Sequence, residues 1–259
     1  MLADLAAMRR LYEVGNLCVR AGKDVQHCLD VIVEAAVMVM GADKGNLQIF
    51  DSEAASLQIA AHLNFEAPFL RFFAVVGPDD ASVCAATMHW KRRIVVEDIT
   101  KSLIFSGQAS QSVLLEAGVR AVQSMPLMSG SGALLGVIST HFAQPHRPSE
   151  RDLRLMDLLA RQAADYLERR QSEEILRESE ANFRALVSQT NVGICRIALK
   201  DGKLIFANQM FCLMLGYADQ EIIGKTLWEL TDATILNENK RLFKRLRDKG
   251  ESFQFEKQL

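Results

Sequence analysis

Apolar side chains recur at Leu2, Leu5, Met8 and Tyr12, a spacing that predicts an opening helix, loosened at Gly15 and Gly22. A second helix is better bounded. Asp24 stands where an N-cap belongs and Gly41 where a helix stops; between them Val25, Cys28, Leu29, Ile32, Ala36 and Met40 form one stripe. Two strands are expected next. In the second, Leu57, Ile59, Ala61 and Leu63 alternate with Gln58, Ala60, His62 and Asn64, the period of a half-buried strand. From Phe65 to about Ser124 the pattern is mixed. It predicts short helices around Phe69 to Phe73 and over Ser82 to Trp90, a strand over Arg93 to Asp98, and a helix from Ser112 to Gly118. Val122 to Met128 and Leu134 to Phe142 then flank Ser129-Gly130-Ser131-Gly132, a hairpin whose glycines supply positive φ.

After Pro148, Ser149 and Asp152 have the spacing of a capping box, and a helix over 149–188 follows. Leu153, Met156, Ala160, Ala163 and Leu167 recur at 3-4 spacing, the seam of a coiled coil or bundle, so this helix is expected to mediate a parallel homodimer. Its alternative partner is the first helix. Beyond it, strands over Val192 to Leu199 and Leu204 to Ala207 flank an Asp201-Gly202 turn. Asn208 caps a helix ending at Gly216, Asn237 to Lys249 is helical, and Ser252 to Lys257 is expected to begin a strand. Three strands make a poor independent sheet, so this second part is expected to be incomplete at its C-terminus.

Composition narrows the classes. The 259 residues are 49% apolar and 24% charged, which excludes a mostly disordered chain and suits two domains. Thirty basic and 32 acidic side chains leave a net charge of −2, so no global field draws the chain to nucleic acid or an anionic membrane. No apolar run approaches a membrane span, and MLADLAAMRR has no signal-peptide character, so a cytoplasmic location is expected. Five scattered cysteines, none in a C-x-x-C pair, point to free thiols in a reduced compartment.

Particular residues carry a family likeness. Ser82-Val-Cys84-Ala-Ala with Lys91-Arg-Arg-Ile-Val-Val-Glu-Asp-Ile99, Gly118 to Pro126, and Gly136-Val-Ile-Ser-Thr with Pro148-Ser-Glu-Arg-Asp-Leu resemble the segments of GAF sensor domains. Ala85 stands where that family often has glycine. Arg177 to Leu186, Phe206-Ala-Asn208, Leu215-Gly-Tyr217 and Ile223-Gly-Lys225 resemble the start of a PAS domain. The resemblance implies an α+β chain: a GAF-like antiparallel sheet flanked by helices over 1–168, a connecting helix over 149–188, and a partial PAS-like domain over 181–259. It further implies a sensory input module of a bacterial signalling protein, whose histidine kinase or diguanylate cyclase output lies outside this chain.

The candidate chemistry is that of binding. Phe69, Phe73, Cys84, Met88 and Phe105, with His62 on the strand, are expected around a small-molecule pocket in the first domain; ordinary core is the plainer reading of each. Phe206, Phe211, Met214 and Trp228 are the counterparts in the second. Cys84 near a helix start is a candidate reactive thiol, or else a small core residue. The five histidines are isolated, and Cys84 and His89 fall on different sides of a helix, so no metal site is expected. Gly224-Lys225-Thr226 lacks the upstream glycine of a phosphate loop, and no cysteine stands between Gly224 and Thr231 for a flavin adduct. Lys240, Arg241, Lys244, Arg245, Arg247 and Lys249 form a basic helix without interleaved aromatics, a solvated face rather than a nucleic-acid surface. The cofactor stays open, and catalysis is not expected. The rival readings are a ligand-free dimerisation or protein-interaction scaffold and a GAF-type thiol redox enzyme.

Overall fold

Helix ends follow capping chemistry. In the computed structural model, which describes residues 2–20 and 24–252, the Asp24 carboxylate accepts from the His27 amide to open α2 (Val25–Met40), and Gly41 closes it at φ 60°. The described residues divide into two units between Glu173 and Glu174. In the first, α1 (Leu2–Arg20) and α2 precede β1 (Lys44–Asp51), β2 (Ser56–Leu63), α3 (Ala67–Phe72), β3 (Val75–Val76), α4 (Val83–Trp90), β4 (Ile94–Val96), α5 (Ala109–Glu116), β5 (Ala121–Met128) and β6 (Leu134–Phe142). The strands form one antiparallel sheet in the order β3-β2-β1-β6-β5-β4. α6 (Glu150–Gln189) follows and crosses the division between the units.

Each face of the sheet has its own core. On one face, Leu47 and Ile138 pack with Ile32 of α2 and with Met156, Leu159 and Ala163 of α6. On the other, Leu57, Val122 and Val137 pack with Phe69, Met88 and Phe105 from the segment between β2 and β5. Close approach of β1 and β6 requires Gly136, because a Cβ there would overlap the Gln48 carbonyl oxygen. The capping box forms as expected: the Asp152 amide donates to Ser149 Oγ at 3.2 Å, and the Ser149 hydroxyl to Asp152 Oδ2 at 2.6 Å.

Three expectations are corrected here. On α1 the buried stripe is Ala7, Leu11, Val14 and Cys18, while Met8 and Tyr12 are 55% and 71% exposed. Beside this stripe, a Cβ on Gly15 would come within 3.3 Å of the Gln162 side chain of α6. The supposed dimer seam is intramolecular: Met156, Ala160, Ala163 and Leu167 are buried in the first unit's own core, and Leu153 is half-buried. A 3-4 stripe looks the same whether its partner is a second chain or the chain's own sheet. Finally, β2 does not hold one alternation. Ala61 pairs with Leu47 but Ile59 with Gln48, so Ala60 is an unpaired bulge. The bulge flips the phase: Leu57 and Ile59 join one core, Ala61 and Leu63 the other.

The second unit contains β7 (Cys195–Ile197) and β8 (Leu204–Ala207), paired antiparallel, then α7 (Gln209–Leu215), α8 (Asp219–Ile222) and α9 (Leu236–Lys249). Leu204, Cys212 and Ile222 are its buried core. Asn208 organises it. Its Oδ1 accepts from the amides of Ile194 at 2.8 Å and Phe211 at 2.9 Å, and its Nδ2 donates to the carbonyls of Val187 and Val192. The strand expected after Ser252 lies outside the described residues.

Candidate functional site

Alternation on β1 and β6 sends one set of side chains to the helices and the other towards α3, α4 and α5. The second set includes Asn46, Gln48, Ser139 and His141. Over these strands Phe69, Phe73, Cys84, Phe105 and Leu114 cover a cavity, with Asn46, Gln48, His141 and Val122 of the sheet in its lining. It holds about 20 Å³ of space for the centres of water molecules, enough for one or two. The surface facing this space is almost wholly apolar, and Asn46, Gln48 and His141 are set among the rings as its polar lining residues. Among the described residues, Asn46 Oδ1, Gln48 Oε1 and His141 Nδ1 are buried without a hydrogen-bond partner, in side chains 2%, 0% and 3% exposed. The Gln48 amide nitrogen is turned to the Phe73 carbonyl oxygen at 3.5 Å, which leaves its oxygen free.

His141 lies edge-on to Phe65 and Phe69, with ring centroids 4.9 and 5.8 Å away. Burial among these rings, with Lys44 nearby, pushes its pKa down to about 3. The imidazole is therefore neutral at physiological pH. Cys84, in the first turn of α4 after the cap Ser82, sits 3.4 Å from Ser139 Oγ and 3.8 Å from Ser124 Oγ, and these two hydroxyls are 2.7 Å apart. Burial raises its pKa and outweighs the hydrogen bonds from the serines. These surroundings favour the small-core-residue reading of Cys84 over the reactive-thiol one.

Two outer clefts adjoin this cavity. One, with about 170 Å³ of open space, is lined by Lys44, Glu66, Val113 and Glu116 and shares Phe69 with the inner cavity. The other is lined by Val76, Asp80, Gln108 and Ser110 and shares Phe73 and Ser82. Just after α4, Arg93 reaches α6, where its guanidinium donates to the Asp157 carboxylate and, at 3.4 Å, to the Leu153 carbonyl.

Of the residues expected around a pocket, Phe69, Phe73, Cys84 and Phe105 line the inner cavity. Met88 belongs to the same core without lining the cavity. His62 is exposed on β2, paired with Asn46 beyond the bulge, and does not line the cavity. Asn46, Gln48 and His141 were missed, although polar residues two apart in strands flanked by buried ones were the signal. In the second unit the four expected residues do not converge. Trp228 packs edge-on against Phe243, Phe211 joins the Leu204 core, Phe206 is half-buried on β8, and Met214 is exposed. The basic residues of α9 are exposed, with Arg245 paired to Glu251 and Arg247 to Asp248. Among the described residues no three His, Cys, Asp or Glu side chains gather as a metal site, and no helix is long and apolar enough to cross a membrane.

Comparison with known proteins fits this architecture. The family profile described as GAF domain matches residues 22–168, more than half of the chain, and the profile described as PAS fold matches residues 181–259. A methyl sulfide methyltransferase-associated sensor of Methanosarcina acetivorans is 26% identical over 156 residues, which are 60% of this chain and 15% of that protein. The GAF domain of a phosphoenolpyruvate-protein phosphotransferase from Coxiella burnetii superposes with a TM-score of 0.54 at 13% identity, over 65% of this chain and 96% of that one. The free methionine-R-sulfoxide reductase of Neisseria meningitidis, in complex with its substrate, superposes with a TM-score of 0.53 at 18% identity, over 66% and 94%. At these identities the two structures bear on the fold alone.

Proposed function

The chain belongs to the GAF-domain family and continues into a PAS fold, and on that premise we propose that it is a sensory input module whose first domain binds a small molecule and passes its occupancy to α6. The cavity lined by Asn46, Gln48 and His141, each with an unpartnered buried polar atom, carries this reading. A buried carbonyl oxygen without a partner costs stability unless something fills the site, so the lining is suited to an occupant.

The transmission would be a population shift. A ligand preferring one arrangement of α3 and α4 biases Arg93, which follows α4, and through it the Leu153–Asp157 turn of α6. That helix runs on into the PAS-matching part, beyond which a kinase or cyclase output would complete the protein. Thiol catalysis is the weaker reading, because Cys84 has two serine hydroxyls beside it rather than a base or a second thiol. A ligand-free scaffold is the remaining alternative. Cys84→Met, which fills the cavity from α4, is expected to shift amide hydrogen exchange at Leu153–Asp157 of α6. Exchange unchanged beyond the residues touching position 84 would favour the scaffold.

A further inference from the structure

The chemistry of the cavity says more about its occupant than that it is small. Asn46 Oδ1 and Gln48 Oε1 are two amide carbonyl oxygens from neighbouring same-face positions of β1, both buried and both without a donor. His141 adds a neutral imidazole nitrogen, Nδ1, from the adjoining strand. No charged side chain lines the inner cavity, so an ionic ligand would be left without a counter-charge in a desolvated site. With Phe69 swung aside, the rings of Phe73 and Phe105 remain in the lining, and these favour a flat, apolar face. Donors along one edge and an aromatic face on the other describe a restricted class of compound.

Access is also legible. The closed cavity has room for one or two waters, and Phe69 is the residue it shares with the Lys44–Glu116 cleft. The Phe69 ring is stacked on Phe65 at 3.6 Å and edge-on to His141. Its rotation out of that stack would join the two spaces and free a ring-sized volume between Phe65 and His141.

We propose that the inner cavity takes a small, planar, uncharged molecule presenting at least two N–H groups along one edge, of the lactam, cyclic-urea or amino-heterocycle class, admitted past Phe69 from the Lys44–Glu116 cleft. The N–H edge meets the Asn46 and Gln48 oxygens, and the flat body takes the place of the Phe69 ring. This rests on the reading of the cavity as a ligand site.

Calorimetric titration of the full chain with 2-benzimidazolinone, which has two N–H donors, and with its 1,3-dimethyl derivative, which has none, tests the proposal. The parent compound is expected to bind at least about tenfold more tightly, as unpaired buried acceptors would penalise the methylated form. Gln48→Leu, which exchanges an unsatisfied amide for an apolar side chain, should narrow that ratio to about threefold. Phe69→Ala should speed association of the parent compound while preserving the preference. Equal or tighter binding of the dimethyl compound by the unmodified chain would overturn the donor assignment and leave a ligand pocket standing. Binding of neither compound, by the unmodified chain or by Phe69→Ala, would overturn this proposal, whereas the ligand reading itself falls only if exchange at Leu153–Asp157 is unchanged in Cys84→Met.

Discussion

His141 is an imidazole enclosed by phenyl rings, and its neutrality has a measurable consequence. Its folded pKa of about 3 lies below the ordinary 6.5, so between these values the unfolded chain takes up a proton that the folded chain refuses. The contribution to stability is therefore whole above about pH 6.5 and is lost as the pH falls, at about 1.4 kcal/mol per unit within the window. Urea unfolding of the unmodified protein and of His141→Gln between pH 7 and pH 4 is expected to show the steeper acid loss in the unmodified chain. Parallel curves would mean that the ring is solvated. Cys84 illustrates the same balance at a second residue. Sequence position suggested activation by a helix start, whereas its surroundings keep it a thiol beside two serines.

Among the elements, α6 separates what is legible in a sequence from what is not. Its start is local chemistry: Ser149 and Asp152 lie three apart, and they cap as the spacing predicts. The same holds for Asp24, for Gly41 and for the bond from the Phe211 amide that makes Asn208 a cap, whereas the bonds of Asn208 to Val187, Val192 and Ile194 reach 14 to 21 residues back. The partner of the Met156–Leu167 stripe is set by tertiary packing, and periodicity cannot name it. Nor can alternation reveal the Ala60 bulge, which depends on the register of a neighbouring strand, or which strand face will roof a cavity. Leu167→Glu puts the distinction to the test. With Leu167 buried in its own domain's core, the substitution is expected to cost about 3–5 kcal/mol. Denaturant midpoints should fall by the same amount at widely separated protein concentrations; a loss that vanished on dilution would restore an intermolecular seam.

At the scale of the whole molecule, every residue of α6 from Gln171 to Leu186 is exposed, including Ile175, Leu176, Phe183 and Leu186. A helical stretch with every side chain exposed has little beyond its backbone hydrogen bonds and surface pairs such as Arg177–Glu174 to hold it, and it opens readily. Trypsin is therefore expected to cut the native chain first at Arg177 or Arg184, releasing a fragment that retains the six-stranded sheet. First cleavage within residues 24–142, read by mass spectrometry, would contradict this. The alternation along β1 carries a different consequence, one for descent. Asn46 and Gln48 face the cavity, while Leu47 and Ile49, interleaved with them, face the helices. On the proposed reading, drift at the first pair would change what the domain recognises without disturbing the surface against which α2 and α6 rest, so lineages of this protein would be free to exchange one stimulus for another while inheriting the same lever.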